Sequence, residues 1–184
     1  MITKRGSMST ALSRARASRR RRWRAARKFR PAEIKLLLVA KAPPPAPKPG
    51  KPERYFYYPD VGEHDSLFVE VAEALLGSRP SRSSKREVLG QLRDAGVFLI
   101  DMRLDPDDGG ALDRHIPSLI TRCRRLKAQD IILISTSVYD AAFRRLAEVG
   151  LPAVDARVDF PGNGRQRDFR RKFPPALQSI GWDR

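Results

Sequence analysis

The stretch IKLLLVAKAPPP, residues 34–45, decides the fold. Ile34–Ala40 is apolar almost throughout, which is typical of a parallel strand buried on both faces. The prolines that follow end the strand, because proline cannot donate to a β-ladder. The aromatic run YFYY comes next at residues 55–58, and Asp65 or Ser66 then caps an apolar helical pattern. Ligands of α/β proteins bind beyond the carboxyl ends of the strands. This loop is therefore predicted to form the floor and wall of a site for a flat aromatic ligand.

Further apolar runs alternate with helical patterns along the rest of the chain. Val97–Ile100 and Ile131–Ile134 are predicted as the second and third strands, and Pro152–Ala156 as a weak fourth strand. Alternation of this kind implies crossover connections and a parallel sheet covered by helices. The predicted fold class is α/β, a three-layer α/β/α sandwich around a central, mostly parallel four-stranded sheet.

Positive charge is concentrated at the start of the chain. Residues 1–30 hold 12 of the 37 Lys and Arg residues and no acid, whereas the remainder carries 25 basic and 21 acidic residues. We therefore predict two parts, a disordered basic arm at residues 1–30 and an α/β domain at residues 31–184. Such an arm is typical of attraction to a polyanion, most simply nucleic acid. A disordered leader and a transit peptide are alternative interpretations of the same composition.

The remaining composition argues against several classes of site. A lone cysteine, Cys123, excludes an internal disulfide and a cysteine-based zinc site, and its apolar helical face predicts a buried, reduced thiol in a cytoplasmic protein. His64 and His115 show no metal-like spacing. No apolar run approaches the length that spans a bilayer. We expect no cofactor, no metal, no membrane association and a monomer.

The order of these features resembles that of the uracil-DNA glycosylase superfamily over most of residues 33–180. A strand ends in an Ala-Pro turn, an aromatic loop leads to a DSLF helix, and a second strand ends in a polar residue. A late PGNGRQ turn at residues 161–166 then opens a helix. The resemblance implies that superfamily's fold, DNA as partner, and hydrolysis of the N-glycosidic bond of a flipped uracil or other damaged base.

The resemblance also assigns roles to individual positions. Lys41 with Ala42 and Pro43 matches the motif that positions water, and Phe56 or Tyr57 matches the aromatic that stacks on the flipped base. Asp101 stands where an amide usually binds the base edge. The late turn, which inserts into the duplex, comprises Pro161, Gly162, Asn163, Gly164, Arg165 and Gln166. The chain departs from the family pattern at Lys41, where many members have an acid, at Asp101, and in the absence of His from the late turn.

Each candidate side chain has more than one possible role. Asp101 can accept a hydrogen bond from a base, donate one if burial raises its pKa, or act as a general base. It can also simply cap the end of its strand. Lys41 can bind a phosphate, stabilise the leaving base or attack the sugar, or it can be an ordinary solvated lysine. The aromatic run can form a stacking platform or fill the core.

The same alternatives apply to the loops and to the protein as a whole. The segment Ser135–Ser137 can bind phosphate at a helix N-terminus or cap that helix, and the late turn can contact DNA or be an ordinary tight turn. Two rival functions stay open beside the glycosylase. One is a catalytically inactive nucleic-acid-binding member of the same fold. The other is a small-molecule enzyme acting on a nucleotide, which is disfavoured because no glycine-rich loop follows the first strand.

Overall fold

A computed structural model of the chain describes residues 3–45, 47, 53–59, 65–81, 83–106 and 108–182. Up to residue 14, only the side chain of residue 13 is described. The described part is a mixed α/β structure. In chain order its elements are α1 (Thr3–Lys28), β1 (Leu36–Ala40), α2 (Ser66–Leu76), α3 (Lys85–Asp94), β2 (Val97–Asp101), a 3-10 helix (Leu112–His115), α4 (Ile116–Leu126), β3 (Asp130–Leu133), α5 (Thr136–Glu148) and α6 (Gln166–Gln178).

The sheet is parallel, with the order β2-β1-β3. β1 lies in the centre, where Leu36 is in register with Val97 of β2 and with Asp130 of β3. Every residue of β1 is buried, so both faces of the central strand are covered. The α/β class, the parallel pairing and the first three strands are thereby confirmed.

The prediction of a four-stranded sheet is wrong for the described part of the chain. Residues 151–158 form only isolated bridges to β3 and to the residue after it, Ile131 with Ala153 and Ile134 with Val158. Much of their backbone hydrogen bonding is local: the N–H groups of Ala153, Ala156 and Val158 donate to carbonyls two residues earlier, at 2.8–3.1 Å. Such tight turns use donors that a continuous ladder would need.

Helices α2 and α6 pack together and hold one side of the core. Phe169 and Phe173 of α6 are fully buried and stacked with their ring centroids 4.7 Å apart. Arg170 donates to both carboxylate oxygens of the buried Glu70 on α2, at 2.6 and 2.7 Å. A two-bond pair of this kind fixes orientation as well as distance. α3 contacts α2 and β2, whereas α5 contacts β3 and α4.

Helix α1 occupies the segment for which the sequence predicts disorder. A run of four arginines disfavours an isolated helix, but the second half of α1 packs on the domain. Arg22 is buried and donates to the Leu104 carbonyl at 2.8 Å, and Phe29 just beyond the helix is also buried. Glu53 and Asp105 face the arginine run and pair with it. Among the described residues, no helix is long and apolar enough to cross a membrane.

Candidate functional site

A cavity of about 580 Å³ opens at the carboxyl ends of the strands. Its lining includes the turn Lys41–Pro45 after β1, Asp101 at the end of β2, and Ser135 just after β3. Parallel strands bring these positions to one edge of the sheet, which is the usual ligand site of open α/β sheets. The volume lies within the range of roughly 300–1,000 Å³ that is typical of small-molecule sites.

The other walls come from segments distant in the sequence. Tyr55 and Phe56 contribute from the aromatic loop, and Gly162 and Asn163 contribute from the late turn. The proline turn, the aromatic loop, the carboxylate that ends β2 and the glycine turn therefore line one cavity. We call it the base cavity, after the ligand that the resemblance to the uracil-DNA glycosylase superfamily implies.

Asp101 is a lining residue whose pKa is shifted toward neutrality. Burial raises the pKa of its carboxyl to about 7, although the guanidinium groups of Arg22 and Arg122 act in the opposite direction. Arg122 also fixes the end of β2, because it donates to the carbonyls of Asp101 and Met102 at 2.6 and 2.8 Å. A carboxyl with this pKa can take up and release a proton at neutral pH.

The proline turn runs from solvent into the cavity wall. Lys41 is exposed, Ala42 is half-buried and Pro43 is buried. The Lys41 carbonyl accepts a hydrogen bond from the Arg103 backbone N–H at 3.0 Å, which ties the turn to the loop after β2. The turn thus places one cationic side chain and a rigid apolar surface at the same cavity.

Some residues of the aromatic loop lie at the cavity and others lie in the core. Phe56 is buried but lines the base cavity, and its ring meets Phe68 edge-on at 5.7 Å. Tyr57 does not line it. The Tyr57 hydroxyl donates to the Leu99 carbonyl at 3.1 Å and accepts from the Leu99 N–H at 2.6 Å. Phe56, rather than Tyr57, is the member of the predicted pair that reaches the cavity.

The late turn reaches the cavity with only part of its length. Gly162 and Asn163 line it, and a side chain at Gly162 would begin 2.5 Å from the ring of Phe160, which is 40% exposed, so that ring would have to move. Asn163 and Gly164 have positive φ, 55° and 81°, which supports a tight turn. The rest of the predicted turn lies outside the lining, namely the buried Pro161, the exposed Gly164, Arg165, which pairs with Asp159 at 3.0 Å, and Gln166, the first residue of α6.

Sequence reasoning missed Asp65 as a wall of the cavity. It was predicted only as a helix cap, and it does accept from the Phe68 N–H at 3.2 Å. Its second carboxylate oxygen accepts from the Lys85 ammonium at 2.7 Å, and Lys85 is only 1% exposed. The feature of the sequence that could have indicated this role is the position of Asp65, an acid between the aromatic run and a helix.

Ser135 and Phe160 are two further lining residues without a predicted place in this cavity. Ser135 has a φ of 100°, a conformation that residues other than glycine rarely adopt. Its hydroxyl lies 2.9 Å from that of Ser137. Phe160 is 40% exposed. Ser135 reaches the cavity because it follows β3, whereas the position of Phe160 depends on how the late turn approaches the sheet, which no local pattern encodes.

Comparison of the chain with models of known families, with curated proteins and with solved structures gave no match. Among the residues that the structure describes, no group of three or more His, Cys, Asp or Glu side chains could hold a metal ion. What the base cavity can do chemically therefore follows from its own groups. These are the Asp101 carboxyl, which titrates near neutrality, the Asp65 carboxylate paired with Lys85, the exposed side chains of Lys41 and Arg54, an aromatic wall and two turns.

Proposed function

We propose that this protein is a uracil-DNA glycosylase-like base-excision protein. In this proposal it binds DNA, receives a flipped uracil or other damaged base in the base cavity, and hydrolyses the N-glycosidic bond. The observation that carries the proposal is the convergence of four separate segments on one cavity. The three-layer arrangement of that superfamily belongs to the same proposal.

Binding of the base has to offset the cost of taking it out of the stack. That cost is a few kcal/mol, and stacking on an aromatic ring returns about 1–3 kcal/mol per base. Phe56 supplies a ring at the cavity wall and Pro43 an apolar surface. Asn163 supplies polar groups for the base edge, which leaves the Asp101 carboxyl for the attacking water. The basic first helix contributes attraction to the phosphates.

Hydrolysis uses the Asp101 carboxylate as general base. As the oxygen of a water molecule bonds to the sugar C1′, its proton passes to Asp101. The bond between C1′ and the base nitrogen breaks, and its electron pair leaves with the base. Lys41 supplies the positive charge that favours this anionic leaving group. General-base catalysis of this kind contributes about 10²–10⁴-fold in rate.

Binding without base release is the second candidate function, and one observation favours it. Two acids, Asp65 and Asp101, are among the described residues that line the cavity. Asp65 already accepts from the Phe68 N–H and from the Lys85 ammonium. Water activation would then depend on Asp101 alone.

Base release from oligonucleotides tests the proposal. Duplex and single-stranded substrates carrying one uracil, hypoxanthine or mismatched thymine are incubated with the protein, and abasic sites are cleaved with alkali. We expect release by the wild type and at least about a 100-fold loss in Asp101→Asn with binding retained, because only the proton acceptor is removed. Asp94→Asn, at an exposed position on α3, is the matched control.

The outcomes separate the two candidates. Binding that depends on the modified base, without release, establishes the second candidate. Failure both to bind and to release any of these bases overturns the proposal.

A further inference from the structure

A second cavity, of about 250 Å³, adjoins the base cavity. It lies between the second half of α1, the end of β2 and the last turns of α4. Tyr55, Leu99 and Asp101 line both cavities. We call the second cavity the arginine groove. A polymeric ligand with one unit in the first cavity therefore has its next unit beside the second cavity.

The arginine groove carries a strong excess of positive charge. Seven arginines and one acid, Asp101, are among its lining residues. Arg22 and Arg122 are committed to carbonyl groups of the protein. Arg27, Arg30 and Arg125 are exposed, and none of them pairs with an acid within the described part of the chain. Three cations thus remain available to an anionic ligand.

The surface between these cations is apolar and aromatic. Ala26 of α1, Phe98 of β2 and Leu126 of α4 contribute to the lining. Trp23 lies at the same groove, is 56% exposed, and has the Arg27 guanidinium 5.4 Å from its ring centroid. An exposed aromatic ring beside cations is an arrangement by which proteins hold single-stranded nucleic acid, with a base on the ring and phosphates on the cations.

We propose that the arginine groove binds an unpaired nucleotide of single-stranded nucleic acid, next to the base held in the base cavity. Its base stacks on Trp23, and its phosphates contact Arg27, Arg30 and Arg125. This inference rests on the proposed function for the neighbouring base, and it adds the preference for single strands. A cavity of about 250 Å³ is too small to admit a double helix, so a strand that enters the groove has to be unpaired there.

Two matched pairs of arginines test the groove. Arg27 and Arg125 line it, whereas Arg24 and Arg124 are exposed on the same helices outside the lining. Fluorescence anisotropy measures the affinity of the full chain for a labelled oligothymidylate of about 12 nucleotides. We expect the double variant R27Q/R125Q to bind about tenfold more weakly and R24Q/R124Q to stay within about twofold, because only the first pair lies within reach of the bound phosphates. The slope of log affinity against log salt becomes shallower by about 0.7 for each phosphate that the variant no longer neutralises.

Stacking is tested separately at Trp23. Trp23→Ala is expected to weaken binding of the oligothymidylate about tenfold, whereas Trp23→Phe keeps most of the affinity. Both changes are at an exposed side chain, and thermal unfolding checks that the fold is retained. A hairpin duplex of equal length is expected to bind more weakly than the single strand.

Equal losses in the two arginine pairs overturn the inference, as does a duplex that binds as tightly as the single strand. The base-release assay separates this result from the function proposed for the base cavity. Oligothymidylate binding that depends on Trp23, without release of any base, supports the groove and the second candidate function. If Trp23→Ala changes neither base release nor binding of the oligothymidylate, the inference about the arginine groove is rejected while the function proposed for the base cavity stands.

Discussion

At the scale of single residues, the environment of Asp101 sets both its chemistry and its effect on stability. The ordinary pKa of an aspartate is 3.8, and burial raises that of Asp101 to about 7 in the folded chain. Between these two pH values the folded state holds a proton that the unfolded state has lost. The stability that this proton gives is therefore complete below about pH 4 and is lost as the pH rises through 7.

Asp101→Asn should remove this pH dependence, because an amide does not titrate. We expect the free energy of unfolding of the variant, relative to the wild type, to increase from pH 5 to pH 8, as measured by urea unfolding. Asp94→Asn is the control, since a hydrogen bond from Arg93 lowers the pKa of Asp94 and keeps its titration below this range. Parallel curves for Asp101→Asn and the wild type would show that burial does not raise this pKa.

At the scale of secondary structure elements, α1 is held by the packing of its second half and the residues just after it. Ala26 and Phe29 are buried, and the Phe29 ring lies nearly parallel to that of Tyr57 with centroids 6.3 Å apart. Tyr57 in turn bonds to both backbone groups of Leu99 in β2. The position of α1, and with it one wall of the arginine groove, therefore depends on this aromatic contact.

Phe29→Ala is expected to cost about 3–5 kcal/mol in the free energy of unfolding, as a large buried ring is replaced by a cavity. The exposed Trp23→Ala should stay within about 0.5 kcal/mol of the wild type. Denaturant unfolding of both variants measures the difference. Equal stability of the two would mean that this aromatic contact does not hold α1 on the domain.

At the scale of the whole molecule, stability centres on β1. This strand pairs on both edges and is buried along its full length. Residues 151–158 touch β3 and the residue after it through isolated bridges and make several of their hydrogen bonds within tight turns. Amides in the most buried, doubly paired strand open only with the largest structural fluctuations.

Native-state hydrogen exchange should rank these segments. We expect the slowest exchange in Leu36–Ala40 and much faster exchange in residues 153–158, measured residue by residue by NMR. The physical reason is that exchange of the first group requires loss of the sheet, whereas the second requires only local opening. Equal protection in the two segments would indicate that residues 153–158 belong to the sheet as a fourth strand, as the sequence predicts.

Much of the fold could be predicted from the sequence because it depends on local patterns. Continuous apolar runs identified β1, β2 and β3, and the proline turn marked the edge at which the cavity opens. All four segments of the base cavity were among the predicted site segments. The proline turn and Asp101 lie at strand ends, which parallel topology brings to one edge of the sheet, whereas the aromatic loop and the late turn do not lie at strand ends. The fourth strand was predicted from Pro152–Ala156, but short-range hydrogen bonds within that segment prevail over its apolar pattern.

Sequence alone determined that the chain is an α/β protein with a strongly basic first 30 residues and candidate site residues at the strand ends. Only the tertiary structure decided that Phe56 lines the cavity while Tyr57 belongs to the core, and that Asp65 forms a wall. It also decided that α1 packs beside β2 and creates the arginine groove. The reason is physical: a local pattern fixes the type of element, whereas contacts between distant residues fix what each side chain meets. The burial that raises the pKa of Asp101 is such an effect, produced by segments far apart in the chain.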